Sequence, residues 1–320
     1  MTSILELDGE QRSDRFIDLV ERLSHQSVVK HFDAYADIPW DDAAYRIDPT
    51  DPRWELPDDS TLGATAWYRS QAADVRARMG LHGIATNMKA GLQFESILKR
   101  GLLEYAFRLP DHSPEFRYAY HEVIEEAQHS LMFQEFVNRA GLEVPGLTWD
   151  LKLGARRVMA MARHFPALFF VFVLGGEDPI DHVQRTSLRS RRELHPLLER
   201  IMRIHVTEEA RHLSFARQYL RTNVPTLKRW QRSVIAIEAP VILAVMASVM
   251  MRPPRSLVRE YRIPKAVLAE AYGIESSSRE EVRASLRKVR NLLVELGLVT
   301  GPAQRLWEAF GIWAPPDDPR

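Results

Sequence analysis

The chain has 320 residues, and its 43 Lys+Arg balance its 43 Asp+Glu, so the formal net charge is zero. No overall field is available to hold a nucleic-acid backbone or an anionic membrane, which excludes both as primary partners. A hydrophobic content of 45% and a charged content of 27% exclude a largely disordered chain. Cysteine is absent, so disulfides, iron–sulfur clusters, thiolate nucleophiles and cysteine-type zinc sites are excluded as well. Any metal must be held by His and carboxylate.

The first thirty residues are charged and lack an apolar signal core, which predicts a cytoplasmic protein. Residues 1–60 begin with an amphipathic stretch (Phe16, Leu19, Val20, Leu23) and run into a segment rich in Asp and Pro. They are expected to form an extended or irregular arm. Apolar residues then recur at helical spacing over about 65–105, 114–140, 154–187, 190–220 and 224–251. Pro110, the Gly141–Pro145 stretch, Pro196 and Pro225 fall in the breaks. Sustained β-branched alternation is lacking, so the expected class is all-α. The apolar runs Pro166–Gly176 and Val234–Met251 are expected as buried helices: the first is too short to cross a bilayer, and the second carries Glu238 and Pro240. Within the third helix, Gly175-Gly176-Glu177-Asp178-Pro179 conflicts with regular helix and predicts a kink or π-bulge. Beyond Met250–Arg255, patterns over 278–298 and 302–310 suggest a helical extension packed on the bundle. The chain therefore reads as a single domain, with the arm at 1–60, the bundle core at 61–251 and the extension at 252–320.

Two pentapeptides carry the chemistry: Glu125–His129 and Glu208–His212, both with the pattern EEAxH. In each, Glu-x-x-His lies on one helical face, so one ion can take both side chains (Glu126 with His129, Glu209 with His212). A single Glu-x-x-His arises roughly once by chance in a chain of this composition. The context is what raises the signal. Each pentapeptide sits in a separate long helix, and each follows a glutamate in the preceding apolar helix at nearly the same distance, Glu95 in the first half and Glu177 in the second. Two helices that give one Glu each and two that give Glu-x-x-His make up the dimetal-carboxylate pattern of four-helix bundles. Asp178 and Asp181 are substitutes for Glu177 should its helix rotate. His205, four residues before Glu209, shares the stripe of Glu209 and His212 and is a candidate third imidazole ligand. The equivalent slot in the first half holds Glu122, expected to support a ligand or to lie at the surface. Asp181, one turn beyond Glu177, is expected to orient a ligating imidazole. Phe94, Phe172, Val173 and Leu92 flank the ligands; they could line an apolar pocket, but plain core is the expectation, since apolar helix faces are core by default. Gly91, Gly175 and Gly176 could leave room for a substrate or allow close helix packing.

The series Glu95, Glu126-x-x-His129, Glu177, His205-x-x-x-Glu209-x-x-His212 resembles the ferritin-like diiron oxygenases, and His205 narrows the resemblance to the AurF family of p-aminobenzoate N-oxygenases. By motif it covers about 60–220. It implies a ferritin-like four-helix bundle with additional helices, and seven metal ligands at Glu95, Glu126, His129, Glu177, His205, Glu209 and His212, with no catalytic residues beyond them. Glu126 and Glu209 would bridge, Glu95 and Glu177 would be terminal, His129 would serve one ion, and His205 with His212 the other. The implied cofactor is a pair of iron ions cycling between Fe2+ and Fe3+, or a manganese–iron pair, with O2 as co-substrate. The implied reaction is N-oxygenation of an arylamine through a peroxo-diiron intermediate. Four glutamates would neutralise two divalent ions, whereas the same carboxylates without metal would crowd like charges. Electrons would have to come from a separate reductase or ferredoxin, because no flavin or iron–sulfur motif is present, and a homodimer is compatible with the resemblance. Two rival readings share the paired motif: an acyl-carrier-protein desaturase-like oxidase, which His205 disfavours, and a ferritin-like iron-binding protein without oxygenase activity.

Overall fold

The computed structural model of the chain describes residues 4–273 and 276–315, and no β-strand occurs among them. Thirteen α-helices follow one another: α1 (Ile4–Val29), α2 (Ala66–Arg69), α3 (Ala73–Ala106), α4 (Pro114–Ala140), α5 (Trp149–His164), α6 (Pro166–Arg189), α7 (Pro196–Asn223), α8 (Arg229–Met251), α9 (Arg255–Glu260), α10 (Lys265–Tyr272), α11 (Ser277–Ser285), α12 (Arg287–Glu295) and α13 (Gly301–Ala309). The bundle consists of α3 packed on α4 and α6 packed on α7, with α3 also touching α6 and α4 touching α7. This is the all-α, ferritin-like architecture that the helical periodicity and the resemblance led us to expect.

Local chemistry sets the helix ends. Ser113 accepts the Phe116 N–H at the start of α4, Pro114 occupies the first turn, and Gly141 closes the helix at φ 63°. Pro196 likewise opens α7. The stretch expected as one helix over 154–187 is two: Phe165, at φ −147°, separates α5 from α6. Pro166 disfavours helical backbone in the residue before it, so the chain turns there. From Pro166, α6 runs as α-helix to Arg189 with Pro179 inside it, and no π-turn interrupts it. Pro179 donates no hydrogen bond to Gly175, one turn earlier, so α6 relies on packing. Its segment Phe169–Leu174 is buried throughout, each large side chain contributing about 1.5–3 kcal/mol relative to exposure.

Two further expectations are corrected. Much of the N-terminal arm is helix: α1 packs on α4 and α7 through Phe16, Val20 and Leu23, all buried. Its apolar residues recur at helical spacing and find an apolar groove, which outweighs the local turn signals that follow. Irregular backbone begins only after α1, with short 3-10 turns at Ala43–Tyr45 and Pro52–Trp54. Second, α8 is not a buried helix. Ile235, Ala239, Leu243 and Ala247 pack toward α6, while Trp230, Ile237, Val241 and Val245 are exposed. By length and composition Arg229–Glu260 could cross a membrane, and 28% of its most apolar window is buried.

Candidate metal centre

The four bundle helices each turn a glutamate inward at the same level. Glu95 comes from α3, Glu126 from α4, Glu177 from α6 and Glu209 from α7, and none has any solvent exposure. His129, His205 and His212 join them, also fully buried. Four sets of donors gather within 4.8 Å of one another: Glu95–His129–His205, Glu126–His129–Glu209, Glu177–His205–Glu209 and Glu122–Glu126–His212. All seven residues of the sequence pattern therefore meet in one place. His205 does not share a set with His212 among these. It lies beside His129, with ring centroids 4.6 Å apart, and its Nε2 is 3.8 Å from Glu95 Oε1. His205 also shares a set with Glu177 and Glu209, so it reaches both halves of the cluster.

Around this cluster the two EEAxH motifs interlock. His129 Nε2 donates to Glu208 at 3.0 Å, and His212 Nε2 donates to Glu125 at 2.7 Å. The first glutamate of each motif thus orients the imidazole of the other, which leaves both Nδ1 atoms facing Glu126 and Glu209. His129 Nδ1 is 3.3 Å from Glu126 and 3.5 Å from Glu209, and His212 Nδ1 is 2.9 and 3.0 Å from the same residues. His205 is turned the other way: Nδ1 donates to Gln184 Oε1 at 3.0 Å and Nε2 faces the cluster. Buried Arg211 donates to Glu125 at 2.8 Å and lies 3.5 Å from Glu208, so one guanidinium is shared by both orienting carboxylates. The Phe32 N–H also donates to Glu208, at 3.1 Å. Lys99 donates to the Glu126 backbone carbonyl at 3.0 Å and to Ser130.

The sequence reading missed Glu125, Glu208, Gln184, Arg211 and Lys99. The doubled first glutamate of EEAxH was a signal for the first two; nothing in the linear order marks the others. Asp181 does not orient an imidazole. Its carboxylate accepts from Arg185 at 2.6 Å and from Lys288 at 3.1 Å, because α12 packs against α6 and supplies the lysine. Asp178 turns to Arg217, so neither aspartate substitutes for Glu177. Glu122 is neither at the surface nor bonded to an imidazole: it is buried, and both its oxygens lack a hydrogen-bond partner. The glycines serve packing. A Cβ on Gly176 would lie 2.0 Å from the Phe94 ring, and one on Gly175 3.0 Å from Leu243. The Phe94 and Phe172 rings meet in a tilted arrangement, with centroids 5.2 Å apart, within the core.

Burial, followed by the neighbouring carboxylates Glu126 and Glu177, pushes the Glu95 carboxyl far above the usual range. Burial and the charges of Glu209 and Glu126 do the same to Glu177. Burial holds the His205 imidazole well below its ordinary value. For His129 burial acts in the same downward direction, but hydrogen bonds to Glu126 and Glu208 outweigh it and raise the ring to about 10. Burial would raise Glu125, yet the bond from His212 and the charge of Arg211 bring it to about 2. Glu125 is therefore held anionic while Glu95 and Glu177 are biased toward their protonated forms, which is how a low-dielectric site limits its charge.

The donor set fits a pair of cations. Both oxygens of Glu95 and of Glu177, one of Glu209, and Nε2 of His205 are buried without a hydrogen-bond partner. Leaving such atoms unpaired is costly, and coordination satisfies them. Carboxylate and imidazole together suit iron or manganese.

The family whose model matches the chain is described as P-aminobenzoate N-oxygenase AurF, and the match covers residues 15–297. Uncharacterized protein Rv0885 of Mycobacterium tuberculosis is 40% identical over 292 residues, which is 91% of this chain and 86% of that protein. Uncharacterized protein Mb0909 of Mycobacterium bovis matches to the same extent. No solved structure matches.

Proposed function

The chain belongs to the AurF family, and from that premise we propose that it is an O2-dependent diiron monooxygenase that oxygenates the nitrogen of an arylamine. One observation carries the reading: four glutamates and three histidines, all without solvent exposure, turn their donor atoms toward one point between four helices. The iron pair, when bound, supplies O2 activation and oxygen transfer to nitrogen.

The chain's own residues prepare for this. Glu126 and Glu209, which face both Nδ1 atoms, would hold the ion pair together with Glu95 and Glu177. Glu208 and Glu125 hold His129 and His212 in the tautomer protonated on Nε2, so that each presents a lone pair on Nδ1. Gln184 accepts from His205 Nδ1 and frees Nε2 in the same way. Arg211 holds the two orienting carboxylates in place. The apolar wall of Phe94, Phe133 and Phe172 keeps bulk water away. One oxygen atom of O2 goes to nitrogen and the other leaves as water, so two electrons and two protons must arrive per turnover. With no cysteine for an iron–sulfur cluster, we assign the electrons to a separate donor. His205 in the donor cluster favours this reading over the desaturase-like one, whose pattern lacks that imidazole.

The test is to load the protein with iron, reduce it, and expose it to labelled O2 with a panel of arylamines, p-aminobenzoate among them, while following product mass. Label on nitrogen, lost in His205→Ala with the helical content unchanged, is expected. O2 reduction with no labelled amine product would sink N-oxygenation. Failure to retain two metal ions would sink the diiron reading itself.

A further inference from the structure

The two halves of the centre are related by an internal offset of 83 residues that carries Glu125 onto Glu208, Glu126 onto Glu209 and His129 onto His212. The same offset carries Glu122 onto His205. Each of these two residues lies one helical turn before the shared glutamate of its helix, on the same face. His205 falls at the level of His129 and Glu95; Glu122 falls at the level of His212, in a donor set with His212 and Glu126. We propose that Glu122 is an eighth metal ligand, the counterpart of His205, donating to a cation together with Glu126 and His212.

This inference rests on the dimetal reading above and goes beyond its seven ligands. Three independent features support it. Glu122 is 1% exposed, so water does not solvate its carboxylate. Neither of its oxygens has a hydrogen-bond partner, which it shares with the ligand candidates Glu95 and Glu177 and not with the orienting carboxylates Glu125 and Glu208. Tyr118, one turn earlier on α4, is buried with its own hydroxyl unpartnered, so it is not what holds Glu122 in place. A buried carboxylate with four free lone-pair sites is costly unless a cation takes them. The donor set with Glu126 and His212 supplies the place for that cation. The consequence is an unequal pair. The position shared by Glu122, Glu126 and His212 has two carboxylates to one imidazole and suits a hard divalent ion.

The experiment compares wild type, Glu122→Gln and Glu122→His, each titrated with Fe2+ against a competing chelator and then recorded by Mössbauer spectroscopy. Wild type is expected to take up two ions with two distinguishable iron signals. In Glu122→Gln one ion should bind at least about 10–100-fold more weakly, the range that even outer-sphere losses reach, and only one of the two iron signals should change. Glu122→His supplies the donor its counterpart carries and should regain most of that loss. Unchanged affinities and spectra in Glu122→Gln overturn the proposal, and so does an equal change in both iron signals. A Glu122→His protein that binds no better than Glu122→Gln also overturns it, because a purely structural carboxylate gives that result. If wild type itself takes up no ion pair, the dimetal reading falls, an outcome distinct from the others.

Discussion

In the α3–α4 half of the centre, the residue one turn before the shared glutamate is Glu122; in the α6–α7 half it is His205. The scaffolds differ as much as the ligands. The first half stands on regular helices, with α4 capped by Ser113, Pro114 and Gly141. The second half passes through Gly175, Gly176 and Pro179, and is held from outside by α8 against Gly175 and by Lys288 of α12 on Asp181. Yet the crossed bonds, His129 to Glu208 and His212 to Glu125, are alike in the two halves and share Arg211. The comparison teaches that the register of donors is what the two halves have in common, while the means of holding each helix in that register are separate.

Arg211 is the part both halves depend on, and its loss should have the largest effect on stability. Arg211→Met leaves two buried carboxylates without their cation and should cost about 3–5 kcal/mol, read as a fall in the denaturation midpoint of the metal-free protein. A change below about 1 kcal/mol would show that Glu125 and Glu208 do not need it. Next in size, Glu125→Gln and Glu208→Gln should each weaken iron binding by about 10–100-fold, measured by chelator competition. Equal losses would sharpen the symmetry of the crossed bonds, and a loss confined to one variant would break it.

Packing separates the halves. Gly176→Ala drives a methyl into the Phe94 ring and should cost about 1–3 kcal/mol, whereas Gly91→Ala on α3 meets Phe133 at 3.2 Å and should cost less, both read by thermal denaturation. A pH effect should be seen in the same melts. Burial raises the Glu122 carboxyl to about 8 from its ordinary 4.5. At this group the folded metal-free chain binds more protons than the unfolded chain across that window, so the stability that Glu122 contributes, complete below 4.5, should be lost as pH rises through 8. Iron affinity should move the opposite way, rising with pH as ions displace protons from Glu95 and Glu177. The smallest effect belongs to Gly154→Ala on α5: nothing lies within 4 Å of the added methyl, so it should gain up to about 1 kcal/mol from helix propensity alone.

Much of this was legible in the linear order because the relevant period is local. Residues three or four apart share a helical face, so Glu126 with His129, and His205 with Glu209 and His212, could be placed on common stripes before any packing was known. The spacing of Glu95 and Glu177 from those stripes revealed the repeat. Where local signals competed with packing, the reading failed. The amphipathic start of the arm forms α1 because α4 and α7 offer it a groove, and Phe165 breaks the third helical stretch because Pro166 follows it. Exposure of one face of α8 is likewise invisible to composition, since an apolar run reads the same whether one side or both are covered.

The linear order by itself determined the helices, the absence of sulfur ligands, and which seven side chains share the inward stripes, because each of these depends on residue type and a period of a few residues. Only the tertiary structure decided which helix level meets which. It set the His205 ring beside that of His129, gave the imidazole partners to Glu208 and Glu125 and not Asp181, and buried Glu122 with no hydrogen-bond partner. Those outcomes depend on how antiparallel helices are aligned along the bundle and on which charge a neighbouring element brings, and that alignment is set by long-range packing that no local spacing encodes.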